Sequence, residues 1–309
     1  MKNIANEHVP VLVHEIIDYL APLSIAVFFE GTVGLGGHAE AILKHHPEIS
    51  RYIACDQDIQ ALEKAKVRLM PYADKITWAH ANFQEIQSVL RRENVEGIDL
   101  GLFDIGVSSM QLDQPERGFS FRKVGPLDMR MDQSQGLKAS DVVNTYSEKE
   151  LIRILKDYGE VSFAKKLAAV IVEMRKKKPF KTTGDLVEAV EKLFPRQTGK
   201  THPATCVFQA VRIEVNQELD VLKTCLEKSL SKLNLDGSLM VISFHSLEDR
   251  IVKEAFKEAA LPLKNERGQV IEPARFEIVT KKPITAGLLE TKKNPRARSA
   301  KLRIIKRII

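Results

Sequence analysis

The chain has 309 residues, enough for one large domain or two modest ones. Hydrophobic residues make up 44% of it and charged residues 28%, and no apolar run approaches the ~20 residues that a membrane-spanning helix needs. The N-terminus has no signal-peptide hydrophobic segment. The three cysteines, Cys55, Cys206 and Cys225, are scattered and never in C-x-x-C spacing, so neither a metal site nor a disulfide is indicated. We therefore expect a cytoplasmic protein that contacts no membrane and holds no metal.

The net charge of +6 is unevenly distributed along the chain. Residues 275–309 contain eleven basic and two acidic residues, whereas the remainder is slightly acidic. A basic segment on a slightly acidic body predicts a polyanionic partner, with RNA or DNA first. Within this segment, residues 300–305 alternate in part between charged and apolar side chains, which favours an edge strand over a disordered tail.

A glycine-rich turn near the N-terminus is the most informative motif. An apolar strand at 25–29 ends in Glu30, passes through a turn with four glycines, and opens a helix that Pro47 stops. Glycines allow such a tight turn and let backbone N–H groups approach a ligand at the helix N-terminus. A second strand, 52–56, ends in Asp56, 20 residues after Gly36, which is the position of a ribose-binding carboxylate. The spacing predicts a nucleoside-cofactor site.

Strands and helices continue to alternate up to about residue 104. Helical patterns at 58–70 and 84–92 are separated by an apolar strand at 76–80, and a fourth strand follows at 100–104. This spacing predicts a parallel sheet with helices on both faces.

The alternation then stops. Residues 111–136 show no sustained period, and three helices follow, the third between Thr183 and Pro195. An apolar stripe from Val207 to Leu233 predicts one long helix before a fifth strand at 238–244. We expect a Rossmann-like α/β domain and an inserted all-helical domain that overhangs the carboxyl ends of the strands and recognises the substrate. The domain boundaries that we predict are 1–112 with 204–309, and 113–203.

Two cofactors suit the glycine turn. The G-x-G-x-x-A sequence at 34–39 matches the NAD fingerprint, but S-adenosylmethionine enzymes use a related loop with an acid closing the first strand, as Glu30 does. Asn82 and Phe83 offer an amide and an aromatic face to an adenine, and Asp104 precedes a second close-approach turn. No Tyr-x-x-x-Lys pair is present. A methyltransferase is therefore favoured, and an NAD-type oxidoreductase is the alternative.

Seven stretches together resemble the RsmH (MraW) family of bacterial methyltransferases. The resemblance covers nearly the whole chain in family order, and its stretches are Glu30–Ala39, Asp104–Asp113, Arg117–Phe121, Gly125–Asp132, His202–Thr205, Ile242–Arg250 and Asn294–Arg303. It implies a class I S-adenosylmethionine-dependent methyltransferase that modifies the N4 amino group of a cytidine in the decoding region of 16S rRNA. The implied partner is the small ribosomal subunit, and a homodimer is an open expectation.

The sequence departs from the family pattern at several positions. Glu30 stands where Asp is usual, which keeps the charge. Val124 replaces an Asp before Gly-Pro-Leu-Asp, and Cys206 replaces an Arg after His-Pro-Ala-Thr. The cofactor motifs are intact, whereas the substrate motifs are slightly eroded. A non-catalytic RNA-binding factor for ribosome assembly is therefore a second alternative.

The candidate site residues follow from these motifs. Asp104 lies at the strand end nearest the expected methyl group, where it either accepts hydrogen bonds from the cytosine amino group or holds the methionine amino group. His245 either contacts the base or is a strand-end histidine satisfied by the backbone. We expect the cofactor to be bound by Gly36, Gly37, His38, Asp56, Phe83, Asp104 and Gln111.

The RNA contacts are predicted from charge and position. The candidates are Asp128, Arg130, His202, Arg296 and Arg298. Asp128 and Arg130 grip RNA or cofactor in one interpretation and form an internal ion-pair lattice in the other. Near the C-terminus, apolar residues on both faces of the last strand indicate that it packs into the sheet. We therefore expect a mainly structural role for Arg303.

Overall fold

The computed structural model describes residues 10–134, 136–194 and 202–309. These residues fall into two compact units, divided between Gly106 and Val107 and between Glu218 and Leu219. The first unit contains both ends of the chain and the second is continuous. No helix among the described residues is long and apolar enough to cross a membrane.

The described residues form ten strands. They are β1 (Val27–Glu30), β2 (Arg51–Asp56), β3 (Ile76–His80), β4 (Ile98–Asp104), β5 (Leu233–Ser243), β6 (Leu263–Lys264), β7 (Val270–Glu272), β8 (Phe276–Ile278), β9 (Ile284–Thr285) and β10 (Lys301–Arg307).

They also form thirteen α-helices. These are α1 (Val13–Leu20), α2 (Gly37–His45), α3 (Ile59–Arg68), α4 (Ile86–Arg92), α5 (Ser109–Asp113), α6 (Ala139–Thr145), α7 (Glu148–Asp157), α8 (Ala164–Lys177), α9 (Thr183–Glu191), α10 (Ala204–Asn216), α11 (Glu218–Leu230), α12 (Ser246–Ala259) and α13 (Leu288–Lys293).

One sheet organises the first unit. Its order is β3-β2-β1-β4-β5-β10-β8, with β9 also paired to β10. Strands β1 to β5 pair in parallel and β10 runs antiparallel to β5. The order 3-2-1-4-5 is that of a doubly wound Rossmann-like fold, and the five strands predicted from the sequence are confirmed as β1 to β5.

Both faces of this sheet are covered, as expected of parallel strands. Alternate side chains point to opposite faces, so Phe28 and Tyr52 belong to one apolar cluster, whereas Phe29 and Ile53 belong to the other. Residues of α1, α2 and α3 cover the first face, and residues of α4, α11 and α12 cover the second. Cofactor-type sites in such sheets lie at the carboxyl ends of the strands.

The second unit is helical and has its own core. Residues of α6 to α10 contribute buried side chains to it, and α7 begins with the predicted capping box between Ser147 and Glu150. The structure divides the chain at 106/107 and 218/219, whereas the sequence placed the boundaries at 112/113 and 203/204. The second boundary differs because α10 buries Val207, Phe208 and Val211 in the helical core.

Two expectations about regular structure are corrected. The single long helix from Val207 onward is wrong, because Gln217 adopts φ 50° and separates α10 from α11. The edge position of the last strand is also wrong, because β10 lies between β5 and β8, whereas the prediction that it packs into the sheet is confirmed. Pro195, the expected end of the third inserted helix, lies outside the described residues, and α9 ends at Glu191.

Candidate cofactor-binding and catalytic site

Three acidic residues end adjacent parallel strands. Glu30 closes β1, Asp56 closes β2 and Asp104 closes β4, and the sheet places β1 between the other two strands. Among the described residues, no lysine or arginine forms an ion pair with any of these carboxyl groups. The strand ends therefore concentrate acidic groups without a strong cation of the chain beside them.

Glu30 is fully buried. Its Oε2 accepts a hydrogen bond of 2.7 Å from the hydroxyl of Tyr52, whereas its Oε1 has no hydrogen-bond partner among the described residues. Burial raises the pKa of Glu30 to about 8; the Tyr52 hydrogen bond opposes this shift, and Asp104 and Asp56 add to it. The group is therefore largely protonated at neutral pH when no cation is near.

Asp104 is held at its backbone and open at its carboxyl group. Its N–H donates to Oγ1 of Thr32 at 2.7 Å, which joins the end of β4 to the turn after β1. About a quarter of its side chain is exposed, and Oδ1 has no hydrogen-bond partner among the described residues. Burial, and after it the charge of Glu248, raises the pKa of Asp104 to about 7. This carboxyl group can exchange a proton near neutral pH.

His38 connects these acids to the N-terminal segment. Its Nε2 lies 2.8 Å from the carbonyl oxygen of Val11, and since a carbonyl only accepts, Nε2 carries the proton of this bond. Nδ1 then lies 4.0 Å from Oε1 of Glu30 and 3.9 Å from Oδ2 of Asp104. His38 is 5% exposed, so its imidazole ring is a buried neighbour of the carboxyl groups of Glu30 and Asp104.

Asp56 organises the glycine turn. Its Oδ2 accepts from the N–H of Gly34 at 2.8 Å, and its Oδ1 accepts from the N–H of Asp58 at 2.9 Å. Burial raises the pKa of Asp56 to about 6, against the effect of these backbone hydrogen bonds. A carboxylate accepts about four hydrogen bonds, so capacity remains for the hydroxyls of a ribose.

Glycine is needed at two positions of this turn for different reasons. Gly36 precedes α2 with φ 75°, in the left-handed region that other residues rarely adopt. At Gly31, a Cβ would lie 2.2 Å from a ring carbon of Phe103. Gly37 then begins α2, so the N-terminus of this helix follows the glycine turn directly, as in sites for polar ligands at helix N-termini.

Phe83 lies at the edge of the apolar core. Its side chain is 8% exposed and its ring is tilted against that of Phe103 at a centroid distance of 5.7 Å. Only a small part of the ring is open to a ligand, so its contact with an adenine stays a prediction. Asn82, just before it, donates from Nδ2 to the side chain of Gln57 at 2.8 Å.

His245 caps α12. Its Nδ1 accepts from the N–H of Glu248 at 3.3 Å, and Glu248 in turn accepts from the N–H groups of Phe244 and His245. The structure therefore gives His245 a backbone partner, which was the second of the two interpretations. Its contact with a base stays a prediction.

Gln111 and His202 are two of the predicted site residues that belong to the helical unit. Gln111 caps α5 by accepting from the N–H of Ser108 at 3.0 Å. His202 precedes α10 and accepts from the N–H of Ala204 at 3.1 Å, and its ring lies 5.2 Å from that of Phe121. Each of these two side chains thus has a local structural contact, and their ligand contacts stay predictions.

Asp128 and Arg130 form a bidentate ion pair. Nε and Nη2 of Arg130 each lie 2.8 Å from an oxygen of Asp128, and both side chains are largely buried. Burial acts to raise the pKa of Asp128, but the hydrogen bonds from Arg130 outweigh it and lower the pKa overall. Arg130 also donates to the carbonyl of Gln133. These contacts correspond to the second interpretation made from the sequence, in which Asp128 and Arg130 form internal ion pairs that order the loop.

The three arginines near the C-terminus have different surroundings, and those of Arg303 agree with the prediction made for it. Arg303 is 8% exposed and its Nε donates to Oδ1 of Asp249 at 2.6 Å, which is a structural contact made through Nε. Arg296 and Arg298 lie in the short 3₁₀ helix Pro295–Ser299, where Arg298 is exposed and Arg296 half-buried. Their contact with RNA stays a prediction.

Three residues that contact the candidate site residues were not predicted from the sequence. Tyr52 and Thr32 contact Glu30 and Asp104, which are distant in the chain, and no local sequence pattern indicates either contact. Glu248 could have been predicted, because it follows His245 at the spacing of a capping box.

The two buried cysteines of the first unit are unsuited to nucleophilic catalysis. Burial raises the pKa of the Cys55 thiol, and raises that of Cys225 to about 12, so neither provides a thiolate nucleophile.

The fold and the acidic strand ends define a class of protein. The sheet order, the glycine turn after β1 and the carboxyl groups at the ends of β1, β2 and β4 are those of a Rossmann-like class I S-adenosylmethionine-dependent methyltransferase. The model of the MraW methylase family matches residues 5–308. The chain belongs to this family, which confirms the resemblance found in the sequence.

Curated relatives align over nearly their whole length. "Ribosomal RNA small subunit methyltransferase H" of Clostridium botulinum is 45% identical over 308 residues, covering 98% of this chain and 99% of the relative. Proteins of the same name from Caldicellulosiruptor bescii and Fusobacterium nucleatum are each 44% identical, over 306 and 313 residues. The alignments cover 98% and 100% of this chain, respectively, and 99% of each relative.

Proposed function

We propose that this protein transfers a methyl group from S-adenosylmethionine to the N4 amino group of a cytidine in the decoding region of 16S rRNA. The observation that carries the proposal is the set of acidic strand ends on a chain of the MraW methylase family. The name shared by the curated relatives, a methyltransferase of small-subunit ribosomal RNA, supports the choice of substrate. Family membership leaves an NAD-type oxidoreductase without support.

The residues present suit a cationic nucleoside cofactor. Buried oxygens of Glu30 and Asp104 have no hydrogen-bond partner among the described residues, and a cation is the ligand that ionised carboxylates favour. S-adenosylmethionine supplies an electrophilic methyl group on a positively charged sulfur. Asp104 and His38 would hold its methionine end, Asp56 its ribose hydroxyls, and the backbone at Gly36 and Gly37 would lie against it. Phe83 and Gln111 complete the proposed set.

Asp104 is the residue best placed to assist the amino group. The lone pair of a cytosine amino nitrogen is delocalised into the ring, so the nitrogen is a weak nucleophile that must pyramidalise and lose a proton. An oriented acceptor supplies alignment and electrostatic help. In the ligand-free protein, burial and the charge of Glu248 raise the pKa of Asp104 to about 7, which suits a proton acceptor at neutral pH when no ammonium group pairs with it. The same oxygen could instead hold the methionine amino group, and His245 is the second candidate for contact with the base.

RNA recognition is assigned to two regions. The helical unit, which extends from Val107 to Glu218, would recognise the RNA, with Asp128, Arg130 and His202 as its candidate residues. The basic C-terminal segment would add Arg296 and Arg298. We propose that the substrate is presented within the small ribosomal subunit, in the cytoplasm, and that no metal takes part; a homodimer stays an open expectation.

Label transfer tests this function. Small subunits from cells without the gene are incubated with the purified protein and S-adenosylmethionine labelled in its methyl group. The proposal predicts that label enters 16S rRNA as N4-methylcytidine, and that Asp104→Asn slows transfer by at least about 100-fold. A protein that binds the subunits and the cofactor but transfers no label would be a non-catalytic assembly factor.

A further inference from the structure

A groove on the first unit lies away from the acidic strand ends. It has a volume of about 460 Å³ and is lined by residues of α12 and β8, together with Lys281, Arg303 and Ile308. Helix α12 starts beside the end of β5, and its groove residues Phe256 and Lys257 lie about ten residues further along. At a rise of 1.5 Å per residue, this puts them roughly 15 Å from the helix start. The Phe256 end of the groove therefore lies away from the cofactor site, and Arg303, which pairs with Asp249 in the first turn of α12, marks the end nearer to the strand ends.

The floor of the groove is apolar and partly aromatic. Phe276 and Ile278 are partly buried and pack against the core cluster that includes Phe256, and Ile308, at the C-terminus, is 40% exposed. An apolar floor with a partly exposed ring, that of Phe276, suits a ribose or a nucleobase, since every base has a face that can stack on an aromatic side chain.

The rim of the groove is cationic. Lys253, Lys257 and Lys281 line it, with Glu277 as the acidic lining residue. Lys253 lies 3.8 Å from Glu254, whereas the described residues supply no carboxylate partner for Lys257 or Lys281. These two ammonium groups are therefore available to an anionic ligand.

Arg303 provides a buried donor at the base of the groove. It is 8% exposed, and its Nε is held by Oδ1 of Asp249 at 2.6 Å. Among the described residues, none accepts a hydrogen bond from the Nη atoms of Arg303. Arg303 also lines the groove. A guanidinium fixed on one side and open on the other is preorganised to bind a phosphate through two parallel hydrogen bonds.

We propose that this groove binds one nucleotide of a single-stranded RNA segment, remote from the methylated base. Arg303 and the rim lysines contact the phosphodiester, and Phe276 stacks on the base or ribose. A groove of this volume is in the range of sites for nucleotide-sized ligands. The inference rests on the proposed function, because that function makes RNA the partner.

Charge and ring variants test the groove. Lys257→Gln/Lys281→Gln removes two proposed phosphate contacts, and Lys66→Gln/Lys223→Gln is a control with the same charge change at two exposed lysines that pair within their own helices. The measurement is the affinity for a protein-free single-stranded RNA oligonucleotide as a function of salt. The groove variant should lose about 1.4 from the slope of log affinity against log salt, from ~0.7 per contact.

A third variant tests stacking. Phe276→Leu keeps the apolar volume and should weaken RNA binding about fivefold, the lower end of base–aromatic stacking. In all variants the affinity for S-adenosylmethionine should equal that of the wild type.

Three results would overturn the groove proposal. The first is an unchanged salt slope in Lys257→Gln/Lys281→Gln, and the second is an equal loss in the control. The third is weakened binding to whole subunits with unchanged binding to protein-free RNA, which would assign the groove to a ribosomal protein. Methyl transfer by the wild type is measured in parallel, so a failure of the proposed function is seen separately.

Discussion

Asp104→Asn keeps the shape of the side chain but removes its ionisation. Burial and the charge of Glu248 raise the pKa of Asp104 to about 7, so the group is about 3% ionised at pH 5.5 and about 50% at pH 7.0. A ligand ammonium stays charged over this range, because an α-amino group has a pKa of ~7.7–8.0. If the cofactor binds the ionised carboxylate, the Asp104 contribution to its affinity should rise about fifteenfold between these two pH values.

Calorimetry of S-adenosylmethionine binding measures this effect. Asp56 and Glu30 also titrate with raised pKa values, of about 6 and about 8, but both remain in the variant. The informative quantity is therefore the ratio of wild-type to Asp104→Asn affinity. We expect it to increase about fifteenfold from pH 5.5 to 7.0, with matching proton release seen between buffers of different ionisation enthalpy. A ratio that stays constant would refute the assignment of Asp104 to the cation.

The remaining predictions concern stability and recognition. Without ligand, the folded protein holds a proton on Asp104 that the unfolded chain loses near pH 4, so stability falls as pH rises toward 7. Asp104→Asn should therefore exceed the wild type in unfolding free energy at pH 8, by up to about 4 kcal/mol, and match it near pH 4; equal curves in urea would contradict this. Tyr52→Phe leaves a buried acceptor unpaired and should cost about 1–3 kcal/mol of stability; an unchanged denaturation midpoint would argue against that contact. Asp56→Ala should weaken cofactor binding by about 1–3 kcal/mol, and tight binding of NADH by the wild type would contradict the cofactor assignment. Arg296→Ala/Arg298→Ala should flatten the salt dependence of RNA binding by about 0.7–0.9 per contact with little change in melting temperature, whereas unfolding with unchanged RNA affinity would show that both are structural.

The sequence predicted the sheet and the acidic residues at its strand ends because their signals are local. The strands β1 to β5 are short apolar runs between helical patterns, and the distance from Gly36 to Asp56 is fixed by the length of one strand–helix–strand unit. Once the strands pair in parallel, the residues at their carboxyl ends lie at the same edge of the sheet.

Contacts that depend on strand register were not predictable. Tyr52 reaches Glu30 because β1 and β2 pair with Phe28 opposite Tyr52, and Thr32 reaches the backbone of Asp104 across 72 residues of chain. The apolar pattern of two separate strands is compatible with several registers, so neither contact has a signature in the sequence.

Breaks in regular structure were missed for a related reason. The apolar stripe continues on both sides of Gln217, and the left-handed backbone there is adopted by a residue other than glycine. The strand β8 has three residues, too few for a periodic pattern, so the sequence did not identify it as the second neighbour of β10.

Nucleoside analysis of ribosomal RNA tests the central claim most directly. Small-subunit rRNA is isolated from cells with the gene, without it, and with the gene carrying Asp104→Asn, and N4-methylated cytidine is quantified by mass spectrometry. We predict that the modified nucleoside is present only with the wild-type gene, and that the variant restores little or none of it. Undiminished N4-methylated cytidine in cells that lack the gene would contradict the assigned activity.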